Sequence, residues 1–423
     1  MSAPPGQRIV IVGAGHAGVQ AAVSLRQEGH AGPVILIDGE DALPYQRPPL
    51  SKAYLKGDMP VEALAFRRAS FFEQNAIERL TATATAIDRA ARRLLLEGGI
   101  ALPYDHLILA PGARNRVLPV PGWEGPGVVG MRTLQDADLL RRRLPEARRV
   151  AVIGAGFIGL EFAAVAAAAG ARVDVVELGE LPMGRALTSA TARHFLAHHA
   201  RAGIRFHLGR GVARILRGAD GQPAGLVLSD GSELAANLVV YGIGVLPNVE
   251  LAQSAGLACD NGIVVDRELC TEDPHISAIG DAVSWPLADE RRLRLESVQN
   301  AVDQARQLGL RLARGVRAPY HALPWFWSDQ GALRLQIAGL AAGHDATHTI
   351  GEPEADRFSV LCFAGGCLVC VESVNRPADH MAARRILAGR TPLPIEEALR
   401  PDFSLKGWEA SRGAPQAGAA AVS

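Results

Sequence analysis

The sequence predicts an α/β chain with two Rossmann-like dinucleotide-binding folds, followed by a small C-terminal α+β domain built on an antiparallel sheet. Three observations predict it. A β-branched run near the start passes into a glycine triad and a helix pattern, the same construction recurs in the middle of the chain, and an alternating apolar pattern appears near the end. With 423 residues, 48% apolar and 21% charged, the chain has material for about three domains at roughly 150 residues each.

The first element, Ile9 to Val12, is short and β-branched and runs straight into Gly13-Ala14-Gly15-His16-Ala17-Gly18. An Ala/Val/Leu pattern then reads as a helix to about Arg26, and a second strand, Val34 to Ile37, ends in Asp38. The repeat begins with Val150 to Ile153 and Gly154-Ala155-Gly156-Phe157-Ile158-Gly159. It continues through an alanine-rich helix to about Ala169 and a strand Val173 to Val176 that closes on Glu177. Pro111-Gly112 and Pro119 to Gly127 read as the way out of the first domain, and Gly242 to Asn248 as the way back. The expected domains are therefore 1–113 with 246–326, a second domain over 114–245, and a third over 327–423. In the third, Leu333, Leu335 and Ile337, then Phe358 and Val360 against Leu368 to Val374, read as antiparallel strands with a hairpin at Gly365-Gly366.

Forty-four basic side chains balance forty-four acidic ones, so no global field draws the chain to nucleic acid or an acidic membrane. An odd number of cysteines, five, points to reduced thiols. The start of the chain lacks an apolar leader, no run reaches eighteen apolar residues, and the tail Gly413 to Ser423 is small and polar. A cytoplasmic protein is the expectation. Cys362, Cys367 and Cys370 have the x4, x2 spacing of iron–sulfur ligands, but no fourth cysteine follows and all three fall on the predicted hairpin. They are read as core cysteines, and no metal site is expected.

In each glycine triad the first glycine permits the tight turn. The second lets the backbone approach a pyrophosphate at a helix N-terminus, and the third lets helix pack on strand. A carboxylate ending the second strand accepts the adenosine ribose hydroxyls, whereas a 2′-phosphate needs an arginine nearby. Glu177 is followed by Leu178, Gly179 and Glu180 with no cation close in sequence, which predicts NAD(H) over NADP(H). In the first fold either Asp38 or Glu40 can play this part. Two such folds imply hydride transfer between two redox cofactors, FAD in the first and NADH in the second being the economical pair. Asp281, after Ile276 to Ile279 and Gly280, stands where a carboxylate can hold the ribityl hydroxyls or else cap a following helix.

The stretches Tyr45 to Lys52, Gly242 to Asn248, Asp260 to Val264, Glu296 to Asn300, Pro324 to Gln330 and Val374 to Pro377 resemble the FAD-dependent NADH:ferredoxin reductases, putidaredoxin reductase and biphenyl-type dioxygenase reductases being the nearest kinds. The resemblance runs from about residue 8 to about residue 390 and is most specific over Pro-Trp-Phe-Trp-Ser-Asp-Gln. It implies a glutathione-reductase-like fold and electron flow from NADH through FAD to a [2Fe-2S] ferredoxin that feeds an oxygenase. It also implies FAD contacts from Gly13, Gly15, Gly18, Lys52, Ala84 through its backbone, Arg132, Asp281 and Val298. Arg47, Ala110, Gly112, Gly244, Gly280 and Glu296 lie in or beside the matching stretches and join the cofactor-binding set. The nicotinamide nucleotide falls to Gly154, Gly156, Gly159 and Glu177.

Lys52 is either a solvated lysine or an ammonium that stabilises charge on the reduced flavin, and the resemblance gives it Glu161 as partner. Trp327 reads as packing by composition, and by resemblance as a docking or shielding residue beside the flavin. After Asn300, a helix carries Ala301, Ala305, Leu308 and Leu312 on one stripe and Arg306, Arg311 and Arg314 opposite, a solvated face or one that steers an acidic ferredoxin. Ala110-Pro111-Gly112 departs from the Ala-Thr-Gly of the relatives and loses a backbone donor. The rival readings are a rubredoxin reductase and a redox-sensing flavoprotein similar to apoptosis-inducing factors. A disulfide reductase is disfavoured, since no cysteine precedes Cys259.

Overall fold

The computed structural model describes residues 6–287, 290–389 and 391–413. The first five residues, and the tail from residue 414 read above as small and polar, lie outside them. The chain divides into two compact units whose described residues lie within 1–117, 130–142 and 243–322, and within 118–129, 143–242 and 323–423.

In the first unit five parallel strands lie in the order Ile276–Ala278, His106–Leu109, Ile9–Val12, Val34–Asp38, Ile77–Thr81. The first four are buried along their whole length, as strands covered on both faces must be, while the edge strand Ile77–Thr81 is buried only at Ile77. Helix His16–Gln27 follows the first strand and packs against helix Val298–Arg314. The two come so close at Gly309 that a Cβ there would sit 2.6 Å from Ser24 Cβ. Strands Ala84–Asp88, Arg93–Leu96 and Ala101–Pro103 form a separate antiparallel sheet. The stretches read as exit and return meet as a ribbon, Ala113–Asn115 pairing antiparallel with Val245–Pro247. Segment Gly130–Arg142, which the sequence reading placed in 114–245, clusters with this first unit.

The second unit repeats the parallel design, with strands Arg205–Leu208, Arg172–Glu177, Arg149–Ile153 and Leu238–Tyr241 side by side in that order. Its helix Phe157–Ala168 starts directly after Gly156. The C-terminal part is an antiparallel sheet ordered Trp325–Gln330, Leu333–Gly339, Cys367–Val374, Arg357–Ala364, Ala346–Glu352. Its hairpin turns at Gly365 and Gly366, both at positive φ, the conformation a two-residue hairpin loop demands. Cys362 faces Cys370 across that hairpin, both fully buried. Among the described residues no helix is long and apolar enough to cross a membrane, and no cluster of His, Cys, Asp and Glu has the makings of a metal site.

Candidate functional site

Both glycine turns are built the same way. Gly13 sits at φ +102° and donates its N–H to Ile37 O at 2.9 Å; Gly154 sits at φ +95° and donates to Val176 O at 2.8 Å. The third glycines are packing positions, since a Cβ would lie 1.8 Å from Gly13 O at Gly18 and 2.2 Å from Gly154 O at Gly159. A Cβ on Gly13 would itself lie 2.2 Å from Ala110 O. The middle glycines differ in kind. A Cβ on Gly15 would meet nothing within 4 Å, and one on Gly156 only Gly242 O at 3.7 Å. Each turn therefore leaves open space beside its middle glycine at the N-terminal end of a 12-residue helix.

In the first unit, Asp38 ends its strand as a 9% exposed carboxylate whose Oδ1 accepts the Glu40 N–H at 3.1 Å. Burial pushes its pKa up. Glu40 is tied down elsewhere: Oε1 receives Arg47 Nη2 at 2.7 Å and Oε2 the Tyr45 hydroxyl at 2.6 Å. Asp38 is thus the strand-end acid that makes no bond to Arg47 or Tyr45, whereas Glu40 makes both. Arg47 also donates to Arg132 O at 2.8 Å, and Arg132 Nη2 reaches Asp281 Oδ2 at 3.1 Å. Arg132 is aimed by its Nε bond to Ala113 O at 3.0 Å, and Asp136 accepts its backbone N–H at 2.9 Å. The helix that Asp281 was alternatively read to cap is only a 3₁₀ turn, Gly280–Ala282, followed by strand Val283–Pro286, and the carboxylate goes to Arg132 instead.

Gly280 lies at φ +84° and gives its N–H to Gln304 Oε1 at 2.7 Å. Val298 is the first residue of the long helix, capped by Ser297 Oγ on the Asn300 N–H at 3.0 Å, so helix-start donors face the same end of the unit. Glu296 is exposed and paired with Arg294 at 2.7 Å, while Arg294 also donates to Asp281 O at 3.2 Å. Ala84 is half-buried at the start of the small sheet, opposite Leu96. The Ala110-Pro111-Gly112 turn uses its carbonyls: Pro111 O accepts Asn248 Nδ2 at 2.8 Å and Gly112 O accepts the Asn248 N–H at 3.0 Å. Gly244, at φ +94°, gives its carbonyl to the Arg116 N–H at 3.0 Å. Lys52 is half-buried, and its Nζ donates to Pro48 O at 3.2 Å.

In the second unit Glu177 is clamped to its glycine turn, Oε2 accepting the Ala155 N–H at 2.7 Å and Oε1 the Gly179 N–H at 2.8 Å. Leu178 beside it is 78% exposed, an apolar platform next to the acid. The fold also brings up a cation that is distant in sequence. The Arg210 N–H bonds Glu177 O at 3.0 Å, while its guanidinium pairs with Asp230 at 3.1 Å. Glu161 is 2% exposed and accepts from Ser328 Oγ at 2.7 Å. Trp327 is half-buried, its ring 5.7 Å from that of Trp325, over which Arg384 lies at 4.5 Å. Lys52 and Glu161 belong to different units.

The arginine face divides. Arg306 is exposed, 3.4 Å from Asp303, and Arg314 is exposed beside Glu28 at 2.7 Å. Arg311 corrects the expectation: its guanidinium turns inward to Ser277 Oγ at 2.6 Å and to Cys270 Sγ. It lies on the flank where the helix meets strand Ile276–Ala278, so the helical wheel alone put it on the wrong side. Sequence reasoning missed Gln304, a polar residue on the apolar stripe, and His16, inside the fingerprint itself. The His16 ring packs edge-on to Phe66 at 4.6 Å, and burial with the charges of Arg47 and Arg132 holds its pKa down to about 4.

Comparison with known proteins agrees with this geometry. The family model for pyridine nucleotide-disulphide oxidoreductases matches residues 7–305, and the reductase C-terminal model matches 325–408. Rhodocoxin reductase of Rhodococcus erythropolis is 50% identical over 404 residues, covering 94% of this chain and 93% of that protein. The solved ferredoxin reductase for the CYP199A2 system of Rhodopseudomonas palustris is 49% identical with a TM-score of 0.93, covering 96% of this chain and all of that one. The reductase in the covalent putidaredoxin reductase–putidaredoxin complex is 35% identical with a TM-score of 0.94, over 97% and 100% of the two chains. The chain belongs to the pyridine nucleotide-disulphide oxidoreductase family, whose members bind FAD and NAD(P)H, and it carries the reductase C-terminal domain.

Proposed function

We propose that this protein oxidises NADH and passes the electrons through FAD to a [2Fe-2S] ferredoxin that serves an oxygenase, either a haem-thiolate monooxygenase or an aromatic-ring dioxygenase. The observation that carries the reading is the doubled cradle. Two turns each leave open space at the middle glycine, while Gly13, Gly18 and Gly159 are packed to contact and Gly154 holds a positive φ, the shape a diphosphate needs and a side chain would fill. FAD, when bound, accepts a hydride from the nicotinamide and releases electrons singly.

The chain's own residues bind and orient. Gly13, Gly15 and Gly18 line the FAD diphosphate and Asp38 takes its adenosine ribose. Asp281, held by Arg132, meets the ribityl hydroxyls, and the Val298 N–H and Ala84 backbone complete the contacts, with Lys52 supplying positive charge near the ring. Gly154, Gly156, Gly159 and Glu177 take NADH. With the guanidinium of Arg210, whose backbone N–H bonds Glu177 O, engaged by Asp230, a 2′-phosphate would meet the Glu177 carboxylate. Trp327 shields or docks. The relatives, reductases of rhodocoxin, of putidaredoxin and of the CYP199A2 system, favour a protein electron acceptor.

The test is anaerobic mixing of the yellow protein with NADH, followed by ferredoxin-dependent reduction of cytochrome c. Rapid bleaching and ferredoxin-dependent turnover support the reading. A slow, long-lived charge-transfer complex with no turnover would favour a redox-sensing flavoprotein, and turnover with rubredoxin alone would reassign the partner.

A further inference from the structure

A chain of buried hydrogen bonds ends on Glu161. His199 Nε2 lies 2.8 Å from Gln330 Oε1, Gln330 Nε2 donates to Ser328 Oγ at 3.1 Å, and Ser328 Oγ donates to Glu161 Oε1 at 2.7 Å. All four side chains are buried, Gln330 and Ser328 completely. The direction of the chain follows from the inventory of donors. Ser328 has one proton and gives it to the carboxylate, so its oxygen must receive one from the Gln330 amide nitrogen. The Gln330 oxygen then faces His199, which must carry its proton on Nε2. Burial lowers the His199 pKa, which keeps the ring neutral with one donor and one acceptor. The second amide proton of Gln330 faces Met183 Sδ at 3.3 Å.

The strand explains why these residues converge. Along Trp325–Gln330, successive side chains alternate, so Phe326, Ser328 and Gln330 share one face and Trp325, Trp327 and Asp329 the other. The first face packs on helix Phe157–Ala168, where Phe326 meets Phe157 at 4.6 Å and Ser328 meets Glu161. Ser328 is thus the residue directly behind Trp327, and it grips a carboxylate two positions beyond Gly159. A buried polar chain in which each member is satisfied orients its end group.

We propose that Ser328, Gln330 and His199 are positioning residues for Glu161, fixing the direction in which its carboxylate faces the nicotinamide nucleotide. The kinetic consequence rests on the proposed hydride transfer; the hydrogen-bond chain itself does not. The experiment uses FAD-loaded full-length protein. In Ser328→Ala the limiting rate of flavin reduction by NADH should fall about tenfold, on the order of one charge-assisted hydrogen bond, with the NADH Kd changed less than about twofold. In a Glu161→Gln background the same substitution should add nothing. Gln330→Met, which keeps side-chain length, should act in the same direction and supplies the comparison if Ser328→Ala does not fold.

A second readout needs no turnover. The infrared difference between wild type and Glu161→Gln isolates the Glu161 carboxyl band, and that band should shift in Ser328→Ala and in Gln330→Met. Additive rate effects of Ser328→Ala and Glu161→Gln, or a carboxyl band unmoved by either substitution, would overturn the proposal. If NADH does not reduce the wild-type flavin at all, the functional reading fails while the infrared band still decides the positioning role.

Discussion

Arg132 and Asp281, 149 positions apart in sequence, meet at 3.1 Å, each side chain about a quarter exposed or less. Arg132 reaches this place because Ala113 O and Asp136 hold it from behind. Arg132→Ala strips Asp281 of its partner and should weaken FAD binding about tenfold or more, since a hydrogen bond to a charged group contributes roughly 1.5–3 kcal/mol. Arg132→Lys should recover only part of the loss, because a lysine cannot serve Asp281 and Ala113 O together. Fluorescence titration of flavin-free protein with FAD measures both.

Gly15 and Gly13 separate binding from folding. Gly15 has φ −76° and open space, so Gly15→Ala should leave the flavin-free protein as stable or up to about 1 kcal/mol more stable, yet lower FAD affinity at least tenfold. Gly13→Ala must strain a φ of +102° and drive Cβ into Ala110 O, so it should lower stability by well over 1 kcal/mol. Urea unfolding and FAD titration on the two variants give the comparison. Gly156→Ala should mirror Gly15→Ala for NADH while FAD content stays at the wild-type level.

Glu177 should govern the choice of nucleotide. On the proposed reading Glu177→Ala removes a ribose acceptor and a repulsion against a 2′-phosphate together, so kcat/KM for NADH should fall about tenfold or more while that for NADPH rises. Adding Asp230→Ala, which releases Arg210, should raise NADPH use further. Steady-state assays with both nucleotides decide it.

Two buried histidines predict how acid acts on stability. Burial pushes the pKa of His106 down to about 3 and that of His380 to about 4, below an unfolded value of 6.5. The unfolded chain therefore binds more protons than the native one below pH 6.5. The stability these neutral rings confer is complete above that pH and is lost as pH falls towards 4 and 3, at about 1.4 kcal/mol per pH unit for each histidine. Urea midpoints at pH 7, 6 and 5 should decline, and His106→Asn should flatten the decline by about one histidine's share.

Arg306 and Arg311 should behave oppositely despite sharing a helix. Arg306→Glu reverses an exposed charge and should raise the ferredoxin KM about fivefold or more at low salt, with the difference shrinking as salt is added. Arg311→Glu should instead lower stability, because its guanidinium fills bonds to Ser277 and Cys270 inside the unit. Ferredoxin titrations at two ionic strengths and a thermal melt distinguish them.

The strand–turn–helix units were legible because glycine, β-branching and periodicity act locally: the helix after Gly13 runs His16–Gln27 and the strand before Glu177 runs Arg172–Glu177, within a residue or two of expectation. What stayed hidden depended on distant segments meeting. What sets Glu40 apart from Asp38 is that Arg47 and Tyr45 fold back onto it. Arg311 turned inward because strand Ile276–Ala278 offers Ser277 on that flank. The chain from His199 to Glu161 joins a helix, a strand and a second helix that no spacing rule connects. Gln304 alone left a local trace, a polar side chain at a periodic apolar position.

The bare main chain around Gly15 and Gly156 bears on how this protein can change. On the proposed reading, phosphates there would be recognised by peptide N–H groups, which every substitution except proline retains. On that reading an added methyl at either spot would occupy the space a phosphate needs, so both turns would depend on a missing carbon atom.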